Sequence, residues 1–370
     1  MADSKKYIGI YDTLEDVQDA LDNGQLSKPY VAKTMDNGQL DYNSLSPVDY
    51  SQYWCTYFPT DAKIWVQTNN SEYSRTEYTG GDGKISKADF PKFYCAGSKN
   101  SYSDSSTVEK FKYFQFDSTS ANTSFQYAWY GCIGLTEFPQ LDLSSGTNFS
   151  QAWQNCSSLT SFPMLDLSAG TNFSEAWDGC SSLTEFPTLD LSSGTNFTHA
   201  WSFCSSLTKF SALDLSSGTN FSYAWQDCSS LTEFPMLNVS NGTKFGRAWG
   251  GCSNLTEFPM LDLSKGTDFG RTWDMCQSLT FMPALDLSSG TNFNYAWAGC
   301  SNLTTLGGFG AIKEDFDLSP CPKLTVDSIM NVINQAATVT GKTMKFGSTN
   351  LAKLTDEQKA VATSKGWTLA

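Results

Sequence analysis

Tryptophan recurs at a fixed interval through the middle of this chain, and that interval is the feature that most constrains its fold. Eight of the 11 tryptophans stand 24 residues apart, and eight of the 11 cysteines each follow one of them by three residues. The eight tryptophans are Trp129, Trp153, Trp177, Trp201, Trp225, Trp249, Trp273 and Trp297. A unit of this length cannot bury its apolar face alone, so successive units must stack and share one core. The sequence therefore predicts a solenoid of eight 24-residue turns over residues 117–308.

The pattern inside one unit predicts a short helix and a short strand. Phe149, Trp153 and Cys156 are spaced i, i+4 and i+7, as on one face of two helical turns, and residues 144–148 (SSGTN) supply turn and N-cap side chains. An extended, leucine-containing segment follows, and Pro163 places the start of its strand after the proline. Each turn is thus expected to hold one short strand, a glycine-containing bend and one short helix. The predicted fold class is an α+β solenoid.

The repeat motif resembles a known family. Residues 147–160 read TNFSQAWQNCSSLT, and residues 165–168 read LDLS. This order resembles the BspA-like leucine-rich repeat family, whose units carry TNMSxMFxxCSSLT and then LDLS, with Trp here in place of the usual Phe and Phe in place of Met. The resemblance covers about half of the chain and implies a leucine-rich-repeat-like solenoid. Members of the family are mostly bacterial surface and adhesion proteins, and no catalytic activity accompanies the repeat.

Three interpretations are open for the cysteine column. Metal binding fits poorly, because each unit offers one cysteine without a CxxC pair or clustered histidines. Disulfides between turns also fit poorly, because each thiol would be equally far from both neighbours and equivalent side chains point the same way. The favoured interpretation is that the cysteines act as small buried hydrophobic residues.

An aspartate column accompanies the repeat, and it is interrupted by Asn238. The aspartates are Asp142, Asp166, Asp190, Asp214, Asp262 and Asp286. Carboxylates stacked at strand spacing repel each other unless each is hydrogen-bonded to the adjacent bend or a cation lies between them. Hydrogen bonding within the bend is the favoured interpretation, and calcium binding is the alternative.

Two columns vary between otherwise similar units, and variation on a constant scaffold is typical of a recognition surface in a solenoid. The first column, directly before Ala-Trp in most units, holds Tyr127, Gln151, Glu175, His199, Tyr223, Arg247, Arg271 and Tyr295. The second column includes Met164, Met236 and Met260, which would form an adaptable apolar contact strip if they are exposed. These tyrosines, arginines, methionines, Glu175 and His199 are the candidate partner-binding residues. The alternatives are solvent-facing positions free to vary in the first column and half-buried packing residues in the second.

The segments on either side of the repeats form separate parts of the chain. Residues 1–48 are predicted to be a small β-α-β-β module: a strand over residues 7–11, a helix capped by Thr13, and a hairpin at residues 36–38 (DNG). Residues 49–116 are predicted to be a β-rich linker or cap, with strands at residues 64–66, 73–78 and 111–116. Residues 309–370 are predicted to be an α/β C-terminal cap that ends in a helix opened by Thr355.

The first module resembles proteins of a particular class. Residues 22–32 read DNGQLSKPYVA and residues 40–45 read LDYNSL. These stretches resemble N-terminal modules of virion proteins from tailed phages of gut Bacteroidota, including crAss-like phages. Residues 347–367 are similar to the tail that follows such repeats in gut bacterial surface proteins and their phages. The resemblance implies a fibre or head-decoration protein.

Composition narrows the function classes further. The formal net charge is −14, and affinity for phosphate backbones requires clustered Lys and Arg, so a nucleic-acid partner is not expected. The single histidine leaves little general-base or metal chemistry, and no G-x-S-x-G or HExxH motif occurs. We therefore expect no enzyme and no catalytic, cofactor or metal residues. No apolar run approaches the roughly 20 residues of a membrane helix, and the N-terminus lacks the apolar stretch of a secretory signal, so membrane insertion and ordinary export are not expected.

These features together favour a non-enzymatic phage virion protein, a head or tail fibre or decoration protein. Residues 1–48 would bind a capsid or tail protein, and the repeats would contact a host surface protein or glycan. Copies would assemble in the host cytoplasm as a homodimer or homotrimer and be located in the virion. The alternative is a bacterial cell-surface adhesin with the same repeats, which would need an export signal.

Overall fold

The computed structural model describes residues 123–370, apart from 134, 139 and 140, together with the backbone of seven strands between residues 30 and 96. The chain divides into two compact units, Met1–Gln52 and Tyr53–Ala370. In the first unit, β1 (Tyr30–Thr34) and β2 (Leu40–Pro47) pair antiparallel, as the DNG turn signal predicts. The predicted strand at residues 7–11 and the helix capped by Thr13 lie outside the described residues.

Five short strands begin the second unit. They are β3 (Tyr53–Cys55), β4 (Lys63–Gln67), β5 (Arg75–Thr79), β6 (Ile85–Ser86) and β7 (Cys95–Ala96). β4 lies between β5 and β7, and β3 pairs with β6, all antiparallel. The predicted strand at 64–66 is confirmed, the one at 73–78 starts later than expected, and the one at 111–116 lies outside the described residues.

Stacked rings form the core of the repeats. The Trp column is fully buried, and each indole stacks on the next with centroids 5.3–6.3 Å apart. A second ladder runs from Phe125 to Phe293 at 5.5–5.8 Å. A third runs from Phe138 to Phe234 at 5.5–6.2 Å, its rings edge-on to the indoles. The repeats therefore stack as a solenoid with one continuous aromatic core.

The predicted helix in each turn is wrong, since residues 123–308, where described, contain no α-helix. In the segment that was expected to be helical, alternate backbone N–H groups donate to the next turn: Glu175 N to Thr198 O at 2.8 Å and Trp177 N to Ala200 O at 2.8 Å. The intervening N–H groups donate three residues back, as from Ala176 to a carbonyl 3.1 Å away. Helices pack about 8–10 Å apart, so turns that follow each other every 5–6 Å leave no room for one. Stacking between turns therefore overrides the local helical pattern.

The strand in each turn is also shorter, and lies earlier, than expected. β8 (Glu185–Phe186) pairs in parallel with β9 (Lys209–Phe210), and β10 (Phe281–Met282) pairs in parallel with β11 (Thr305–Leu306). In β8 and β10 the proline follows the strand, because proline has no N–H to donate to the next rung. Isolated parallel bridges such as Asn172↔Asn196 supply the remaining pairing.

Threonine side chains reinforce the contact between turns. Thr171 donates both its N–H and its hydroxyl to the carbonyl of Thr147, at 2.8 and 3.1 Å. The same pair of bonds recurs one turn on, from Thr195 to Thr171 at 2.8 and 3.1 Å. Each such threonine thus links its turn to the one before.

The C-terminal segment covers the last turn with three helices and a small sheet. α1 (Val326–Gln335) is capped by Thr325, α2 spans Gly347–Leu351, and α3 (Asp356–Ser364) opens with the predicted capping box of Thr355 and Gln358. β12 (Phe316–Asp317), β13 (Lys342–Lys345) and β14 (Trp367–Leu369) form a parallel sheet with β13 in the centre. The predicted final helix is confirmed, whereas α2, β12 and β14 were not expected. No helix in the described part is long and apolar enough to span a membrane.

Candidate functional site

The first variable column has an unusual backbone conformation in every turn. All eight residues have φ between +54° and +61°, the left-handed region that L-amino acids other than Gly, Asn and Asp seldom adopt. The residues are Tyr127, Gln151, Glu175, His199, Tyr223, Arg247, Arg271 and Tyr295, and we call them the left-handed column. The N–H groups of all but Tyr295 donate to the next turn, as from Tyr223 to Gly246 O at 2.8 Å, and these bonds hold the conformation.

A second left-handed position, four residues further on, provides an internal comparison. Its residues are Gly131, Asn155, Gly179, Phe203, Asp227, Gly251, Met275 and Gly299. Glycine thus occupies this position in half of the turns, whereas the left-handed column contains no glycine at all. The left-handed conformation costs a non-glycine residue about 1–2 kcal/mol. Side chains kept at such positions mark candidate functional sites.

The N-terminal part of the left-handed column is a polar network. Gln154 Nε2 donates to Glu175 Oε2 and to Asp178 Oδ2, both at 2.8 Å, and Gln151 Nε2 donates to Glu175 Oε2 at 3.2 Å. Burial raises the pKa of Asp178, the Gln154 hydrogen bond and the charge of His199 oppose that shift, and nearby Glu175 adds to it. This part of the surface holds negative charge in fixed positions.

The C-terminal part of the column is aromatic and cationic. His199 stacks on Tyr223 with ring centroids 4.4 Å apart. Arg271 lies 4.7 Å from the ring centroid of Tyr295 and makes an ion pair with buried Asp274 at 3.0 Å. Tyr223 is 37% exposed and Tyr295 is 62% exposed. Exposed aromatic and arginine side chains on a rigid scaffold are suited to recognition.

The methionine strip is exposed, which matches the contact-strip interpretation and not the alternative of half-buried packing residues. Met164, Met236 and Met260 are 60–61% exposed. Two turns with Thr188 and Ala212 at this position separate the first methionine from the other two. The strip lies about half of a 24-residue turn away from the left-handed column, so the two columns form separate surfaces.

The aspartate column is engaged within its own turn. Asp190 Oδ1 accepts from Ser192 N at 3.1 Å and from Ser192 Oγ at 2.7 Å, and these bonds lower the pKa of Asp190. The other aspartates of the column accept at least the backbone bond, which confirms hydrogen bonding within the bend. Among the residues that the structure describes, no three His, Cys, Asp or Glu side chains come together as metal ligands.

The cysteine column lies in the interior, as its favoured interpretation predicts. The eight thiols are buried, and seven donate to a Trp carbonyl of the preceding turn, as from Cys228 Sγ to Trp201 O at 3.1 Å. Burial raises the pKa of Cys252 and of Cys300 to about 12. Thiols held in this form are poor nucleophiles.

Several residues near the cationic part of the column were missed from the sequence. Asp268, Gly246 and Gly270 adjoin Arg247 and Arg271. A column-by-column comparison contains the signal, because glycine follows the ladder phenylalanine only in these two turns. A cavity of about 600 Å³ also lies between the last turn and the C-terminal segment, with Tyr295 and Lys345 in its wall.

Comparisons with known proteins add little to this picture. No family model matches the chain, and no curated protein matches it. The solved structures to which the chain is similar include the functional domain of InlJ from Listeria monocytogenes, which includes a cysteine ladder. The two are 14% identical over 71% of this chain and 76% of that one, with a TM-score of 0.18. A TM-score that low carries no argument about fold, so the solenoid rests on the ladders of this chain.

Proposed function

We propose that this chain is a non-enzymatic phage virion protein, a head or tail fibre or decoration protein of the leucine-rich-repeat kind, whose repeat surface binds the host cell. The surface that binds is the left-handed column. Its partner is a host surface protein or glycan, and residues 1–48 attach the protein to a capsid or tail protein.

One observation carries the binding role. Eight successive turns keep a non-glycine side chain in a left-handed conformation, while a neighbouring position with the same conformation accepts glycine in half of the turns. Each left-handed residue costs about 1–2 kcal/mol of conformational free energy. Eight of them together cost about as much as the whole net stability of a typical domain, which is about 5–15 kcal/mol. Selection of these side chains for binding a partner would explain why the strained conformation is kept without glycine.

The virion assignment rests on the resemblance of residues 22–32 and 40–45 to phage virion modules. Stacked turns hold the column side chains in a row, so one copy presents several contacts in a fixed order. Assembly as a homodimer or homotrimer on a particle would multiply weak contacts into firm attachment.

The proposal that the protein has no enzymatic activity is supported by the state of its reactive groups. The ladder thiols are buried, burial raises the pKa of Cys252 and of Cys300, and the column aspartates are bonded to serines in their own turns. The only histidine, His199, is stacked on Tyr223.

Gold-labelled antibody against residues 123–308 tests the proposal on purified phage particles by electron microscopy. We expect label at fibres or on the capsid surface. Label confined to bacterial envelopes, with none on particles, would contradict the virion assignment and favour the adhesin. Antibody against the unrelated major capsid protein is the control for particle integrity.

A further inference from the structure

A groove of about 340 Å³ lies along four successive turns at the cationic end of the left-handed column. Its wall includes Tyr223, Arg247, Arg271 and Tyr295, with Asp268 between them. The indoles of these four turns lie 5.4–6.3 Å apart in succession, so three such steps separate the two tyrosines. The groove thus extends along four turns, and an aromatic ring lies at each end.

Two turns depart from the repeat at one position in the wall of the groove. Gly246 and Gly270 follow the ladder phenylalanine, where the other turns have Gln126, Ser150, Ser174, Thr198, Ser222 and Asn294. Neither glycine has a positive φ, so the backbone does not require glycine there. A Cβ on Gly270 would lie 2.7 Å from Asn292 Nδ2, and one on Gly246 would lie 3.1 Å from Asp268 Oδ2. The two glycines therefore let Asn292 and Asp268 lie closer to the backbone than a side chain at either position would allow.

Some charged groups of the groove already have an ion-pair or hydrogen-bond partner within the protein, and others do not. Arg271 is paired with Asp274. Arg247 has no carboxylate partner among the described residues, and its Nε is buried without a hydrogen-bond partner. Asp268 Oδ1 accepts from Gly270 N at 3.0 Å and from Asn292 Nδ2 at 2.8 Å, while its Oδ2 faces the space above Gly246. The groove therefore offers one open cation and one open carboxylate oxygen.

These features define the chemistry of a ligand. An unpaired, partly desolvated guanidinium is completed by a carboxylate, which it binds through two hydrogen bonds. Asp268 Oδ2 accepts hydroxyl protons, and exposed tyrosine faces pack against flat apolar surfaces. A sulfate or phosphate ion offers no apolar face for the two tyrosines. A pyranose that bears a carboxylate offers all three features.

We propose that this groove binds an acidic oligosaccharide of two or three sugars, with its carboxylate on Arg247, hydroxyl groups on Asp268, and pyranose faces on Tyr223 and Tyr295. The proposal rests on the recognition role of the left-handed column and names the ligand class of its C-terminal part. Uronic acids and sialic acids share this chemistry.

Isothermal titration of the full chain with five probes tests the proposal. The acidic probes are trigalacturonate and 3′-sialyllactose, their neutral counterparts are galactotriose and lactose, and triglutamate represents an acidic peptide. We expect at least one acidic sugar to bind tenfold or more tightly than its neutral counterpart and than triglutamate. Binding of only one acidic sugar identifies the source of the carboxylate. Equal binding of acidic and neutral sugars, preferential binding of triglutamate, or no binding of either acidic sugar would overturn the proposal.

Two variants locate the binding within the groove. Arg247→Gln introduces the residue found at the same position in turn two, and we expect it to weaken binding of the acidic sugar at least tenfold. Gly270→Ser introduces the residue of other turns. Its Cβ would displace Asn292, which donates to Asp268, and we expect this change to abolish binding. Met236→Gln, on the methionine strip, is the matched control and should bind as the unchanged protein does. Unaltered binding by both groove variants would refute the site.

Attachment of the same proteins to host cells separates this proposal from the proposed function. If the unchanged chain attaches to cells but binds neither acidic sugar, the ligand class is wrong and recognition by the repeats stands. If it binds an acidic sugar through Arg247 but does not attach to cells, the groove stands and the proposed function is wrong.

Discussion

Gly218, three residues before Phe221, should be intolerant of even one added methyl group, although its backbone conformation would accept one. Gly218 has no positive φ, but a Cβ placed on it would lie 2.3 Å from Phe221 Cζ and 3.0 Å from Leu215 O. The Phe221 ring cannot move away freely, because it is stacked between Phe197 at 5.5 Å and Phe245 at 5.6 Å. The substitution Gly218→Ala therefore forces an overpacked core.

The expected magnitude follows from two opposing contributions. Replacing glycine with alanine at a permitted φ stabilises a protein by about 0.4–1 kcal/mol through the unfolded chain. Overpacking a well-filled core costs about 1–3 kcal/mol. We expect a net loss of about 1–2 kcal/mol. For a folded body of this size that is a fall in Tm of about 2–8 °C.

Thermal unfolding followed by near-ultraviolet circular dichroism of the stacked tryptophans measures this effect. A double-mutant cycle with Phe221→Leu provides the control, because the shorter side chain leaves room for the added methyl group. The cost of Gly218→Ala should then fall by more than half. A rise in Tm for Gly218→Ala alone, or the same cost in both backgrounds, would refute the packing of this ring on the glycine.

Three further predictions test the core and the polar network. Trp201→Ala should cost about 3–5 kcal/mol in urea denaturation, since Trp201 is fully buried between Trp177 and Trp225, and a loss below about 1 kcal/mol would contradict the aromatic ladder. The ladder thiols should not react with Ellman's reagent at pH 8 until the protein unfolds, because burial excludes the reagent and also raises the pKa of Cys252 and of Cys300. Rapid reaction of the native protein would contradict their interior position. Asp178→Asn should raise Tm at pH 7, because burial raises the pKa of Asp178 in the folded state, and the stability given by its protonated form is lost as pH rises through that pKa. The gain should vanish near pH 3, below the ordinary pKa of about 3.9, and a gain independent of pH would contradict the assigned cause.

The repeat, its buried columns and much of the C-terminal segment were predictable from sequence. A 24-residue period fixes which residues stack, and the capping box at Thr355 and Gln358 is a local signal that local interactions satisfy. The aspartates bond to serines two residues away, so that pattern is also local. Features set within a few residues, or by the period itself, are readable without a structure.

The helix in each turn was not correctly predicted, because the same residue spacing is compatible with two different backbone structures. Spacing of i, i+4 and i+7 describes one face of a helix, but it also describes residues that point inward from a tight, left-handed bend. Contacts with the turns before and after decide between them, as in the bond from Glu175 N to Thr198 O. Those contacts join residues 23 apart and lie outside any local pattern.

The candidate site was predictable in part. The variation of the left-handed column was visible in the sequence, but its positive φ values were not, and they distinguish side chains kept at a cost from positions that are free to vary. The groove was missed because Gly246, Gly270 and Asp268 are divided between two turns and two columns of the repeat. Only stacking brings them together beside Arg247.

Attachment of two matched variants to cells tests most directly whether the left-handed column is the recognition surface. The first variant carries Tyr223→Gln, Arg247→Gln, Arg271→Gln and Tyr295→Gln, using the residue that Gln151 already places in this column. The second carries Met164→Gln, Met236→Gln and Met260→Gln, using the residue found at position 140 of that strip. Flow cytometry of labelled protein on a panel of gut Bacteroidota strains, with equal Tm as the check on folding, compares them. We predict that the first variant loses attachment at least tenfold and that the second keeps it. Full attachment by the first variant would contradict the recognition role of the column.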